Sequence, residues 1–275
     1  MRDGYLLFGD LPTNVIRKWT SGSGVTVVRT RSGYADADQP PGPAMGSNGM
    51  TFDAEGRLTI CEPGNRRVTR LEADGRLTIL ADRYEGRRLN SPNDLVYKSD
   101  GALYFTDPPT GLIGEDKSSQ KELDFNGVFR LAGGELRLLK KELTRPNGIA
   151  FSADEKFLYV SNADWQHKIW MRYEVGPDGG LSNGTVFLDL TSERGQEPDG
   201  MKVDREGNLY CTGPHGIWIV DLNGKILGII HTRYEPSNCA WGDADRRTLY
   251  ITGQSEIYRI RLAIPGAGAF TSPKS

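Results

Sequence analysis

Three observations in the amino-acid sequence predict an all-β fold, a six-bladed β-propeller with four-stranded blades. One phrase recurs five times: an Asn or Asp followed by a short alternating run, a turn rich in Asp, Glu and Gly, and a second apolar run. The marked Asn and Asp residues lie roughly 40 to 55 residues apart, the length of a four-stranded blade rather than of a helical solenoid repeat. No 3.6-residue apolar stripe occurs along the chain, so no amphipathic helix is expected. Repetition from end to end removes any case for a domain boundary, and residues 1–275 read as one domain.

Taken in order, the first readable strands are residues 5–10 and 14–19, joined by Leu11-Pro12-Thr13, and then 25–29. A loop rich in Gly, Pro and Asp follows at 31–46, and its Pro40-Pro41-Gly42-Pro43 has no periodicity. The marked phrases come next: Ser47-Asn48-Gly49, Ser91-Pro92-Asn93-Asp94, Arg145-Pro146-Asn147-Gly148, Pro198-Asp199-Gly200 and Pro236-Ser237-Asn238. In the second repeat the four strands read as 49–52, 58–61, 67–71 and 77–80, with Ala73-Asp74-Gly75-Arg76 turning between the last two. Asp3-Gly4-Tyr5-Leu6-Leu7 aligns with Glu55-Gly56-Arg57-Leu58-Thr59, so the first blade is expected to open at its second strand and lack its innermost one.

Composition narrows the function. The 34 basic and 36 acidic residues give a net charge of -2 with no basic stripe, which argues against nucleic acid or an anionic membrane as a partner. No apolar run reaches the ~20 residues that cross a bilayer, and no leader pattern opens the chain, so a cytoplasmic protein is expected. Three cysteines, Cys61, Cys211 and Cys239, are too scattered for a disulfide framework or a zinc cluster.

The innermost strand of each propeller blade lines the central channel. If the marked residues open those strands, Asn48, Asn93, Asn147, Asp199 and Asn238 ring one mouth of it. The loops after the second strands return to the same mouth with Asp10, Glu62, Asp107, Asp164, His215 and Gln254. Converging oxygen donors suit one hard divalent cation, Ca²⁺ first and Mg²⁺ next, with Mn²⁺ and Zn²⁺ also open. Taken singly, each marked residue also reads as an ordinary turn residue. Asp107 and His215 are candidates for substrate binding by their place on that mouth, and His215 reads equally as a loop-packing residue. His167 and His231 read as surface residues. Cys61 and Cys211 read as small buried hydrophobes at equivalent strand ends, Arg66-Arg67 as a solvated or loop-bracing pair, and Trp165, Trp170 and Trp218 as packing between blades.

Several segments together resemble the gluconolactonase, regucalcin and luciferin-regenerating-enzyme family, in its bacterial sugar-lactonase branch. They are Ile60-Cys61-Glu62-Pro63-Gly64-Asn65-Arg66-Arg67-Val68, Leu89-Asn90-Ser91-Pro92-Asn93-Asp94, Tyr104-Phe105-Thr106-Asp107-Pro108-Pro109, Arg145-Pro146-Asn147-Gly148 and Pro198-Asp199-Gly200-Met201. The resemblance implies one divalent metal ion held by Asn147 and Asp199, with Asn93 beside it as ligand or substrate contact. It implies Asp199 as the catalytic base of a lactonase acting on an aldonolactone or similar small lactone. It also calls for a glutamate opening the first blade, for which the chain shows no counterpart; Asp3 falls in a turn at the opposite face. A weakened metal site is therefore expected. Ser91 stands where some members carry a substrate-binding arginine. A phosphoester hydrolase on the same metal, or a propeller that binds metal or a partner without turnover, is the alternative.

Overall fold

The phrases that open with Asn or Asp become short antiparallel meanders because each couples an alternating run to a tight turn. The computed structural model describes residues 4–35 and 46–268, so the expectations at Asp3 and at Pro40-Pro41-Gly42-Pro43 lie outside the described residues. Six successive meanders form the blades of a β-propeller. The contacts divide the chain into two compact units, one spanning Tyr5–Arg145 and the other running from Pro146 onward.

The first unit carries three blades. Blade one is β1 (Tyr5–Asp10), β2 (Val15–Thr20) and β3 (Gly24–Thr30). Blade two is β4 (Met50–Phe52), β5 (Leu58–Glu62), β6 (Arg67–Leu71) and β7 (Leu77–Ala81), followed by a hairpin of β8 (Arg83–Tyr84) and β9 (Arg87–Arg88). Blade three is β10 (Leu95–Tyr97), β11 (Leu103–Asp107), β12 (Gly127–Ala132) and β13 (Glu135–Lys140). As expected, the first blade shows three strands among the described residues.

The second unit also carries three. Blade four is β14 (Pro146–Phe151), β15 (Phe157–Asp164), β16 (His167–Val175) and β17 (Leu181–Asp189). Blade five is β18 (Met201–Val203), β19 (Leu209–Gly213), β20 (Gly216–Val220) and β21 (Ile226–His231). Blade six is β22 (Asn238–Gly242), β23 (Thr248–Gly253) and β24 (Glu256–Arg261), three strands where the repeat led us to expect four. After β24 the chain leaves the sheet edge. Arg205 N donates to Pro265 O at 2.9 Å, Gly266 N to Arg246 O at 2.8 Å and Ala267 N to Val203 O at 2.9 Å, so this backbone is satisfied along the inner turns instead.

The turn between first and second strands is closed by a short acceptor at the end of the inner strand. Asp204 takes the N–H of Asn208 at 2.9 Å, Asp53 that of Arg57 at 2.8 Å, and the Ser152 hydroxyl that of Phe157 at 3.0 Å. The second strands β5, β11 and β19 are buried along their whole length, since they face neighbours on both sides. Between blades four and five the core is Tyr159, Trp170, Met201, Leu209, Cys211 and Trp218. In the other unit Phe105 stacks on Phe129 with ring centres 5.3 Å apart.

Two packing expectations change. Trp170 and Trp218 are buried, but Trp165 is 63% exposed because it sits in the two-residue turn between β15 and β16. Cys61 and Cys211 are both buried, yet not at equivalent positions. Met50 pairs with Ile60 whereas Met201 pairs with Cys211, so Cys211 matches Ile60 and Cys61 lies one residue further on. Among the described residues no helix is long and apolar enough to cross a membrane.

Candidate functional site

The marked residues stand where the inner strands of successive blades touch through bare backbone. In the first unit Gly49 N donates to Asn93 O at 2.7 Å, and a Cβ on Gly49 would lie 2.7 Å from that same oxygen. In the second unit Gly200 N donates to Ser237 O at 3.0 Å, and a Cβ on Gly200 would meet the Asn238 amide at 2.1 Å. A Cβ on Gly148 would lie 2.1 Å from Asp199 O. This close approach explains the recurrent Asn-Gly and Asp-Gly pairs: the glycine has no side chain, so the preceding polar residue can sit at the step.

Asn147 and Asp199 occupy successive steps of one unit. Asn147 is buried and Asp199 half-buried. The ladder between β14 and β15 slips between Pro146 and Ile149, a bulge that contains Asn147 and Gly148 and interrupts the regular alternation there. Asp199 N donates to Thr212 Oγ1 at 2.7 Å. The approach to Asp199 is braced as well: Gln196 Nε2 donates to Gly213 O at 3.0 Å and Pro236 O at 2.9 Å. The buried Lys168 ammonium donates to Glu193 O at 2.9 Å and Gly195 O at 2.8 Å. In the other unit Asn93 is buried, its N–H bonded to Thr106 O at 2.9 Å.

The second-strand candidates lie elsewhere than expected. Asp10, Glu62, Asp107 and Asp164 end strands rather than occupying loops, while His215 and Gln254 sit in tight turns with φ of 70° and 45°. Asp10 pairs with Arg17 at 2.8 Å. Glu62 is buried and takes hydrogen bonds from Asn65 at 2.6 Å, Arg67 at 2.8 Å and Thr69 at 2.5 Å. Asp107 is fully buried and accepts the Asn90 N–H at 2.7 Å. Burial pushes its carboxyl up to about 7, against the pull of the Asn90 and Ser91 amides and of Arg66 and Lys121. Asp164 accepts the Gln166 N–H at 2.9 Å. His215 is exposed, and its carbonyl lies 3.2 Å from His231 Nδ1.

The segment before Asn93 is clamped from below. Arg66, buried rather than solvated, donates to Leu89 O and Gln120 O, each at 2.7 Å, whereas Arg67 pairs with Glu62. Ser91, also buried, donates to Pro108 O at 2.5 Å and accepts Gly111 N at 2.9 Å. Its hydroxyl is spent on the 108–111 loop.

A row of second-strand hydroxyls escaped the sequence reading. Thr106, Ser161, Thr212 and Thr252 stand at one phase, each bonded to a marked segment: Thr106 Oγ1 accepts Asp94 N at 3.1 Å, and Thr252 Oγ1 donates to Asn238 O at 3.2 Å. The signal was present in Tyr104-Phe105-Thr106, Tyr159-Val160-Ser161, Tyr210-Cys211-Thr212 and Tyr250-Ile251-Thr252, which align without gaps.

The pattern of steps, bulge and marked residues runs through the region matched by one family model. Residues 1–255 match the SMP-30/Gluconolactonase/LRE-like region. The chain belongs to this family. It is 39% identical over 272 residues to a gluconolactonase of Zymomonas mobilis, covering 94% of this chain and 75% of that one. The solved structure of a gluconolactonase from Xanthomonas campestris superposes with a TM-score of 0.81 at 34% identity, covering 95% of this chain and 82% of that one. Regucalcin from Agrobacterium tumefaciens, a calcium-binding protein, shares the fold with a TM-score of 0.73 at 20% identity, over 97% of this chain and 88% of its own.

The family's association with divalent ions can be tested against the donor set. Among the described residues no three His, Cys, Asp or Glu side chains gather as a metal site. Asn147 and Asp199, on successive steps, carry an amide oxygen and a carboxylate, donor types common around hard cations such as Ca²⁺. These donor types fit a hard divalent ion.

Proposed function

We propose that this chain hydrolyses a small sugar lactone of the aldonolactone type, with Asp199 and Asn147 holding a divalent ion, Ca²⁺ by preference. Its lactonase character rests on family membership and on the identity with a gluconolactonase over most of the chain. The observation that carries the site is the direct step from Asn147-Gly148 to Asp199, where the backbone of one segment abuts the carbonyl of the other.

Such an ion, when bound, polarises a lactone carbonyl and makes a coordinated water more acidic. The Asp199 carboxylate, half-buried and held through its N–H by Thr212, accepts the proton of the attacking water as general base. Asn147, carried on the bulge of β14, offers its amide oxygen as a neutral ligand. Asn93 is assigned to ligand or substrate contact through its side-chain amide. Asp107 and His215 are assigned to the substrate's surroundings, Asp107 through the Asn90-Ser91 backbone it anchors and His215 from its exposed turn.

The test is proton release from a panel of aldonolactones, with and without a chelator, beside a panel of phosphoesters. Ring opening that stops with chelator and returns with Ca²⁺ is expected. Phosphoester turnover in place of lactone turnover, or metal binding without any turnover, overturns the reading.

A further inference from the structure

Ser161 has a role that the repeat does not assign. It is fully buried on β15, opposite the bulge that carries Asn147 and Gly148. At that bulge the regular ladder is interrupted, and Gly148 N finds its acceptor in Ser161 Oγ at 2.8 Å. The same oxygen donates its own hydrogen to Asp199 O at 2.9 Å. A single hydroxyl is therefore both acceptor for one candidate ligand segment and donor to the next.

Two other hydroxyls of the row bond only within their own blades. Thr212 accepts from Asp199 of its own blade, and Thr252 bonds Ser237 and Asn238 of its own blade. In blade four, unlike at Thr212 and Thr252, the hydroxyl reaches the marked residue of the following blade. The chain of bonds from the Gly148 amide through the Ser161 hydroxyl to the Asp199 carbonyl is aligned head to tail, so each bond polarises the next. The buried Gly148 amide, left without this hydroxyl, would have to find another acceptor by moving.

We infer that Ser161 is a positioning residue that sets the separation and aim of Asn147 and Asp199 by strutting the β14 bulge against the blade-five step. The inference rests on the proposed role of that pair and names a residue that itself touches neither metal nor substrate. A fixed strut matters because a displacement on the order of 1 Å in a supporting shell can cost about 100-fold in activity.

The experiment compares wild type with Ser161→Ala and Ser161→Thr. Thr248→Val serves as a control, removing a buried hydroxyl that bonds Asp243 away from the marked steps. Three quantities are read: Ca²⁺ affinity by titration without substrate, exchange of the Gly148 amide, and the split between kcat and KM on the best lactone. Ser161→Ala is expected to weaken Ca²⁺ binding and speed Gly148 exchange by roughly tenfold or more, with kcat/KM falling in step. Ser161→Thr, which keeps the hydroxyl, recovers most of each. Thr248→Val lowers the thermal midpoint and leaves Ca²⁺ affinity unchanged. If Ser161→Ala fails to fold, Ser161→Cys, with a weak donor of similar size, is read the same way. Ca²⁺ affinity within twofold of wild type together with unchanged Gly148 exchange overturns the inference. A wild type that binds Ca²⁺ but opens no lactone refutes the proposed substrate alone, and the affinity and exchange arms still decide on Ser161. A wild type that binds no divalent ion refutes the metal reading, and the exchange arm decides.

Discussion

A Cβ added to Gly148 would stand 2.1 Å from the carbonyl oxygen of Asp199, closer than any side-chain carbon can approach. The two candidate ligand segments are thus set by contact of bare backbone, and neither can shift without the other. Gly148→Ala forces the steps apart. It is expected to cost about 1–3 kcal/mol of stability, as overpacking does, and to weaken divalent-ion binding at the same time. Denaturant unfolding with and without Ca²⁺ measures both; a variant as stable as wild type contradicts the tight step.

Asp199→Asn keeps an oxygen at the same place but removes charge and basicity. Turnover is expected to fall by roughly 10²–10⁴, the contribution of a general base, while the fold persists. Ca²⁺ affinity should fall too, because it follows the charge of the ligand set. Near-normal turnover on lactone would place the base elsewhere.

The four marked asparagines should separate in function. Asn147→Ala and Asn93→Ala are expected to reduce kcat/KM or ion affinity by at least about tenfold, equivalent to 1.4 kcal/mol. Asn238→Ala should do less, since its Oδ1 is already spent on Cys239 N at 2.8 Å. Asn48→Ala is expected to behave like Asn238→Ala. Should Asn48→Ala prove the most damaging of the four, the assignment of roles around the steps is wrong.

Asp107 makes a pH prediction. Its carboxyl is raised from 3.8 to about 7 in the folded chain by burial, so the folded form holds the proton more tightly than the unfolded one. Linkage then makes its contribution fully favourable below the unfolded value and progressively lost as pH rises through the folded value near 7. Asp107→Asn mimics the protonated side chain and does not titrate. The stability of wild type relative to Asp107→Asn is therefore expected to fall between about pH 4 and pH 7 and to level off above that. Parallel midpoints across that range would show that Asp107 is already ionised in the fold.

Much of the blade pattern was legible because it is local. Tyr5–Asp10, Leu58–Glu62 and Leu209–Gly213 are short apolar runs bounded by turn residues, and the turn chemistry at Asp53 and Asp204 acts within five residues. The fourth strand expected in blade six was not found among the described residues. There Gly266 lies against Trp241, where a Cβ would come within 1.9 Å of the indole, and the backbone bonds across the inner turns. That choice depends on partners some 20 to 60 residues away, which local alternation does not encode.

By itself, the sequence determined the repeat, the all-β blades, and the phase that puts Asn147 and Asp199 at inner-strand openings. Those features follow from side-chain period and turn preference, both read over a few neighbouring residues. Only the tertiary structure decided which polar groups are exposed and which are spent. Glu62 and Asp107 look alike in sequence to free functional groups, yet each is buried and bonded. Trp165 looks like a packing residue and faces solvent. Ser161 looks like any strand serine, and its hydroxyl joins Gly148 to Asp199, thirteen residues before it and thirty-eight after. The physical reason is that burial and hydrogen-bond satisfaction are properties of the packed neighbourhood, which is assembled from segments far apart along the chain.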